Sequence, residues 1–259
     1  MRTHHGMLQR IAQLGLILMM GASMNTNAGW FGFGGDSWKE EVLLHDGQRI
    51  IVKRSVERGG RHEIGQQPPY KEQSLAFTFP TTNESVTWKT EFSEDVGLAD
   101  FKPILLDIIQ GKAYIVTTPM GCLSYNKWGR PNPPYVVFRY EGKGWKRITL
   151  QELPAPLKTP NLIISSPDNE VKRIGKSLIA ADEIKRLNGE LTQSEYKTIL
   201  RDPYPGAGGC PEMVYDGHGG WLSISTFKRY PSLDECLRFC EREDLTAEHC
   251  LCNKFYKGK

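Results

Sequence analysis

The chain has little net charge, few histidines and no apolar run of membrane-spanning length. Its 259 residues carry 33 Lys and Arg against 30 Asp and Glu. A surface built to neutralise phosphates is basic, so nucleic acid is not an expected partner. No G-x4-G-K-[ST] phosphate loop occurs, and no G-x-G-x-x-G follows a strand pattern. H-E-x-x-H and C-x-x-C-H are also missing, as is the G-x-S-x-G nucleophile elbow. The local signatures of nucleotide binding, zinc peptidases, haem attachment and α/β-hydrolases are therefore excluded. Paired carboxylates for sugar hydrolysis need no local motif and are not located this way.

The one apolar run lies at the start. Arg2 and Arg10 precede Ile11 to Ala22, no acid appears before Asp36, and Thr26-Asn27-Ala28 supplies small residues for cleavage. This three-part pattern predicts a signal peptide over 1–28 and an exported protein, periplasmic or secreted. The run is shorter than the roughly 20 residues a bilayer span needs, so no transmembrane anchor is expected after cleavage. The mature chain would hold 231 residues with 31 basic and 30 acidic side chains.

Residues 29–37 read as a flexible lead-in, and 38–150 as an antiparallel β domain. Four hairpins are expected there. "EEVLLHDGQRIIVKR" turns at Asp46-Gly47, a type I′ signal. "SLAFTFPTTNESVTWKTEF" alternates Leu75, Phe77 and Phe79 before Pro80 ends the strand. "PILLDIIQGKAYIVTT" turns around Gln110-Gly111, and "YVVFRYEGKGWKRITL" around Gly142 and Gly144. About eight strands suggest a sandwich or barrel, with a propeller-like arrangement as the alternative. Residues 151–175 are rich in proline and read as a connection. Residues 176–259 read as a small α+β region rich in disulfides. Leu178 to Leu187 shows a helical apolar stripe. Thr192-Gln193-Ser194-Glu195 and Ser232-Leu233-Asp234-Glu235 are capping-box patterns, opening helices to about Arg201 and Glu243.

All six cysteines lie downstream of the leader, and an even count in an exported chain predicts disulfides. Cys236 and Cys240 share a helix face, and Cys250 and Cys252 would share a strand face. Those four should pair together. The nested arrangement, Cys236 with Cys252 and Cys240 with Cys250, is favoured over the crossed one. Cys122 and Cys210 then pair by elimination. The spacings C-x3-C and C-x-C depart from the C-x2-C of zinc sites, so no metal or other cofactor is expected.

The arrangement S-x-x-E-C-x3-C followed by C-x-C before Phe255 resembles the core of the PAN/apple module. That resemblance covers about 25 residues. It implies a helix packed on a sheet through disulfides and a protein- or carbohydrate-binding role. The leader and the "YNKWGRPNPPY" stretch resemble exported proteins of Gram-negative bacteria, which implies no activity.

Candidate binding residues are Tyr125, Trp128, Arg130 and Tyr135, in a stretch read as a long loop between hairpins. An envelope protein or a glycan is the expected partner class, and a non-enzymatic binding or structural role the expected function. The alternative is a secreted hydrolase at "YDGHGGW", using Asp216 and His218, with His62 and Glu63 as further acid–base candidates. His45, beside the first turn, reads as a surface residue.

Overall fold

The structure, a computed structural model, describes residues 35–60, 62–90, 92–205 and 209–256. The leader 1–28 lies outside them. The first hairpin joins β1 (Asp36–Leu43) to β2 (Arg49–Arg58). Trp38, Glu40 and Val42 point inward from β1, and Ile50, Val52, Arg54 and Val56 from β2. That is the two-residue period of a half-buried strand. The turn differs from expectation. Only Gly47 has positive φ, at 87°, and its N–H donates to the Leu44 carbonyl while the Leu44 N–H donates to that of Gln48. This is a three-residue loop closed by a glycine bulge. The Asp46 carboxylate accepts the Gln48 N–H and needs no left-handed backbone.

The second hairpin is β3 (Tyr70–Thr78) with β4 (Ser85–Lys89), and β5 (Phe92–Ser93) with β6 (Leu98–Ala99) forms a short ribbon. β7 (Phe101–Ile109), β8 (Lys112–Pro119), β9 (Val136–Tyr140) and β10 (Trp145–Ile148) make a second meander. The type I′ geometry occurs here, at Gln110 and Gly111, with φ of 51° and 72°. Between β8 and β9 runs α1 (Gly121–Lys127). After β10 come α2 (Pro167–Ile174), β11 (Leu178–Ile179), α3 (Ala181–Gly189) and α4 (Ser194–Lys197). The chain ends with β12 (Met213–Tyr215), β13 (Trp221–Ser223), α5 (Ile224–Lys228), α6 (Leu233–Arg242) and α7 (Cys252–Tyr256).

The sheets have orders β11-β1-β2-β3-β4 and β10-β9-β8-β7. Val42, Val52, Leu75, Phe77 and Trp88 of the first meet Phe101, Leu106, Ile115 and Val136 of the second in one core. The architecture is an antiparallel sandwich, and neither sheet closes into a barrel. The second sheet is buried on its other face too. There Leu105, Tyr114, Val116 and Val137 pack under Leu153, Leu157 and Ile164, so the proline-rich stretch crosses that sheet as a cover. Burial on both faces explains why β7 and β8 read as continuous apolar runs.

Two helices are shorter than the sequence suggests. Residues 178 and 179 pair in parallel with Lys39 and Glu40 of β1, so the helix begins at Ala181. α4 stops at Lys197 because Ile199 donates its N–H to the Lys158 carbonyl and is buried with the proline-rich cover. Gln193 is its N-cap, with no side-chain cap bond. In α6 the expected cap forms, with Ser232 Oγ accepting the Glu235 N–H at 3.3 Å.

Candidate functional site

The stretch 122–135 begins as α1 and turns inward. Tyr125 and Tyr135 are buried. Tyr135 gives its hydroxyl to the Glu195 carbonyl at 2.9 Å, and burial pushes its phenol pKa up. Trp128 packs against Phe101 with the rings tilted and centroids 4.5 Å apart, and donates Nε1 to the buried Asp100 at 3.0 Å. Arg130 lies over the Tyr125 ring and donates to the carbonyls of Cys210 and Pro211, at 2.9 and 3.0 Å. Beside it Cys122 bonds Cys210. The four do not form one surface: Arg130 over Tyr125 ties the C-terminal segment to α1, Trp128 packs into the core between the sheets, and Tyr135 packs on the other face of the second sheet.

The other candidates are scattered. His62 and Glu63 are exposed in one loop, where His62 Nδ1 meets the Gly60 carbonyl and Glu63 accepts from Gln66. Asp216 accepts the N–H groups of His218 and Gly220, at 2.7 and 2.9 Å. Burial acts to raise the Asp216 pKa, and these two bonds outweigh it and lower it. The carboxylate thus closes its own glycine turn. The His218 ring is half-exposed and bonds the Asp244 carbonyl at 2.9 Å.

The remaining disulfides are Cys236–Cys252 and Cys240–Cys250, the nested arrangement. Cys252 opens α7 and Cys250 donates its N–H to the Thr246 carbonyl, so a bend and a helix start, not a strand, present the pair. The sulfurs of Cys240, Cys250 and Cys252 lie within 4.8 Å of one another. Each is oxidised in a disulfide, so none can act as a thiolate ligand.

A cleft lies where the first turn meets the end of β7. It has a volume of about 430 Å³. Leu43, Leu44, Pro156, Pro160 and Ile184 make its walls apolar. Asn161 fixes the junction: its amide donates to the Leu43 and Leu106 carbonyls and its oxygen accepts the Leu106 N–H. His45 and Asp107 also line the cleft, along with Lys158, Asp182 and Lys185. The His45 Nδ1 is 2.7 Å from Asp107 Oδ1, and the His45 backbone N–H donates to Oδ2 at 2.9 Å. Ile108 N–H donates to Oδ1 as well. The Asp107 side chain is 4% exposed and that of His45 24%. Burial pushes the Asp107 pKa up, and the bonds from His45 and Ile108 pull against it without cancelling it.

Two backbone N–H donors on Asp107 make it an acceptor toward the ring, so Nδ1 carries the imidazole proton. The lone pair of the neutral ring then sits on Nε2, which has no hydrogen-bond partner among the described residues. This pairing spans 62 positions in sequence. Its only local trace was a histidine in one hairpin turn and an acid inside an apolar strand, "ILLDII". The buried acid was the usable signal, since a carboxylate in a strand core needs a partner. Comparisons with protein-family models, curated proteins and solved structures find no match.

Proposed function

We propose that the protein is exported and acts by binding, holding a small ligand with an apolar body and an anionic end in the His45–Asp107 cleft. The observation that carries this reading is the cleft itself. Its walls are leucine, isoleucine and proline, while Lys158 and Lys185 reach its rim without an ion-pair partner among the described residues. Asp107 is paired with His45, and Asp182 is the other acid in the lining. With a neutral His45 the two acids and two lysines of the lining cancel formally, and Lys158 and Lys185 are the groups that an anionic end of the ligand would meet. Export is supported by the leader pattern and by three disulfides, which persist where thiols are oxidised. No helix among the described residues is long and apolar enough to cross a membrane.

Nuclear magnetic resonance titration tests the binding. Sodium hexanoate should shift the His45 ring resonances saturably, and hexan-1-ol should bind more weakly by about tenfold, the effect of one charge-assisted contact. A Lys158→Ala, Lys185→Ala variant should lose that preference. Unmoved His45 resonances at millimolar hexanoate would remove the reading.

A further inference from the structure

The geometry points to a second capacity of the same cleft: hydrolysis of esters of short apolar acids, with His45 as general base. This rests on the proposed binding of an apolar anion, because the acid product is that ligand. A base, an orienting acid and a cleft that admits a reacting atom are the needed parts. The Asp107 carboxylate holds His45 Nδ1 at 2.7 Å and fixes the tautomer with Nε2 unprotonated. Nε2 has no other partner among the described residues, and the ring lines the cleft. No serine or cysteine lines the cleft, and its one hydroxyl side chain, Thr159, makes no hydrogen bond to His45, so water is taken as the nucleophile.

The water oxygen bonds the carbonyl carbon as Nε2 takes a water proton. The imidazolium is held by Asp107, and the oxyanion of the tetrahedral intermediate forms in a cleft that Lys158 and Lys185 also line. Collapse breaks the bond to the alkoxide oxygen, which receives the proton from Nε2. Acid and alcohol leave, and the site returns to its starting state. His45 is the catalytic residue and Asp107 a positioning residue.

The test uses p-nitrophenyl hexanoate with the full mature chain. His45→Gln keeps the backbone N–H bond to Asp107 Oδ2 and so keeps the turn; His45→Asn serves as a second variant. Steady multiple turnover is expected, with kcat/KM falling about a hundredfold or more in either variant, the range of general-base catalysis. Hexanoate binding is read in the wild type from the His45 ring resonances, so that loss of hydrolysis and loss of binding are seen separately. A single burst without turnover, or equal rates in wild type and variants, overturns the hydrolysis while bound hexanoate leaves the binding reading intact. Absence of both turnover and hexanoate binding in wild type overturns the two together.

Discussion

A charge pair sits in the middle of the sandwich at Arg54 and Glu40, both without solvent exposure. Arg54 reaches Glu40 at 3.2 Å, the Ile163 carbonyl at 2.7 Å and Gln73 at 3.1 Å, while Glu40 accepts from Trp38 Nε1 and the Ile163 N–H. Removing one partner strands the other charge, whereas removing both leaves apolar volume. Arg54→Met should therefore cost about 3–5 kcal/mol, and Arg54→Met with Glu40→Leu markedly less, read from urea midpoints. Asp168 is a second test at this scale. Burial acts to raise its pKa, but the Arg58 guanidinium and the Tyr70 hydroxyl outweigh it and hold the carboxyl below 3.8. A depressed carboxyl stabilises the fold above its unfolded value and loses that contribution as pH falls through the lowered one. Wild type should lose that stability on acidification below the ordinary carboxylate range, while Asp168→Asn should be weaker at neutral pH and flatter across that acid window. Neither network was legible in sequence. Arg54 and Glu40 occupy inward positions that alternate with ordinary apolar residues, and only the sheet pairing shows that they meet.

At the scale of elements, legibility followed how local each cause is. The hairpins were readable because turn residues and two-residue alternation act within a dozen positions. The turn type at Asp46-Gly47 was not, because only Gly47 is left-handed there and Asp46 instead bonds the Gln48 N–H through its side chain. The start of α3 and the end of α4 depended on pairing with β1 and with Lys158, contacts more than 30 residues away. The α6 cap is local and forms as read. Ser232→Ala removes the only acceptor that Ser232 offers the Glu235 N–H and should cost about 1 kcal/mol. Faster amide hydrogen exchange in the first turn of α6 checks it. The two staples on α6 close short loops, with separations of 10 and 16, so the helix should stay docked even when its first turn frays.

For the whole molecule, one question is how the last fifty residues stay on the sandwich. Their own core is small: Phe227, Phe239 and the buried cysteines Cys236, Cys240 and Cys252. Covalent and hydrogen-bonded ties hold the region, and Asn126 contributes two of them, donating to the Pro211 carbonyl and accepting the Met213 N–H. Cys122–Cys210 is covalent, Arg130 grips the carbonyls at 210 and 211, and Trp221 donates Nε1 to the Asp95 carbonyl at 2.7 Å. The disulfide spans 88 positions, and closing a loop of that length removes about 4–5 kcal/mol of freedom from the unfolded chain in the entropic account. Cys122→Ser with Cys210→Ser should lower global stability by up to that amount. It should also separate the two parts. Amides of β12, β13 and α5 should exchange through local opening, while β7 and β8, buried on both faces, should exchange only with global unfolding. Adding Arg130→Ala should widen the gap, because the guanidinium is one of the grips that remain, beside Asn126 and Trp221. Equal exchange acceleration in β8 and β13 would mean that the region is held by the sandwich core rather than by these ties. The His45 cleft is built from β1, β7, the proline-rich cover and α3, so it should keep its hexanoate response in both variants.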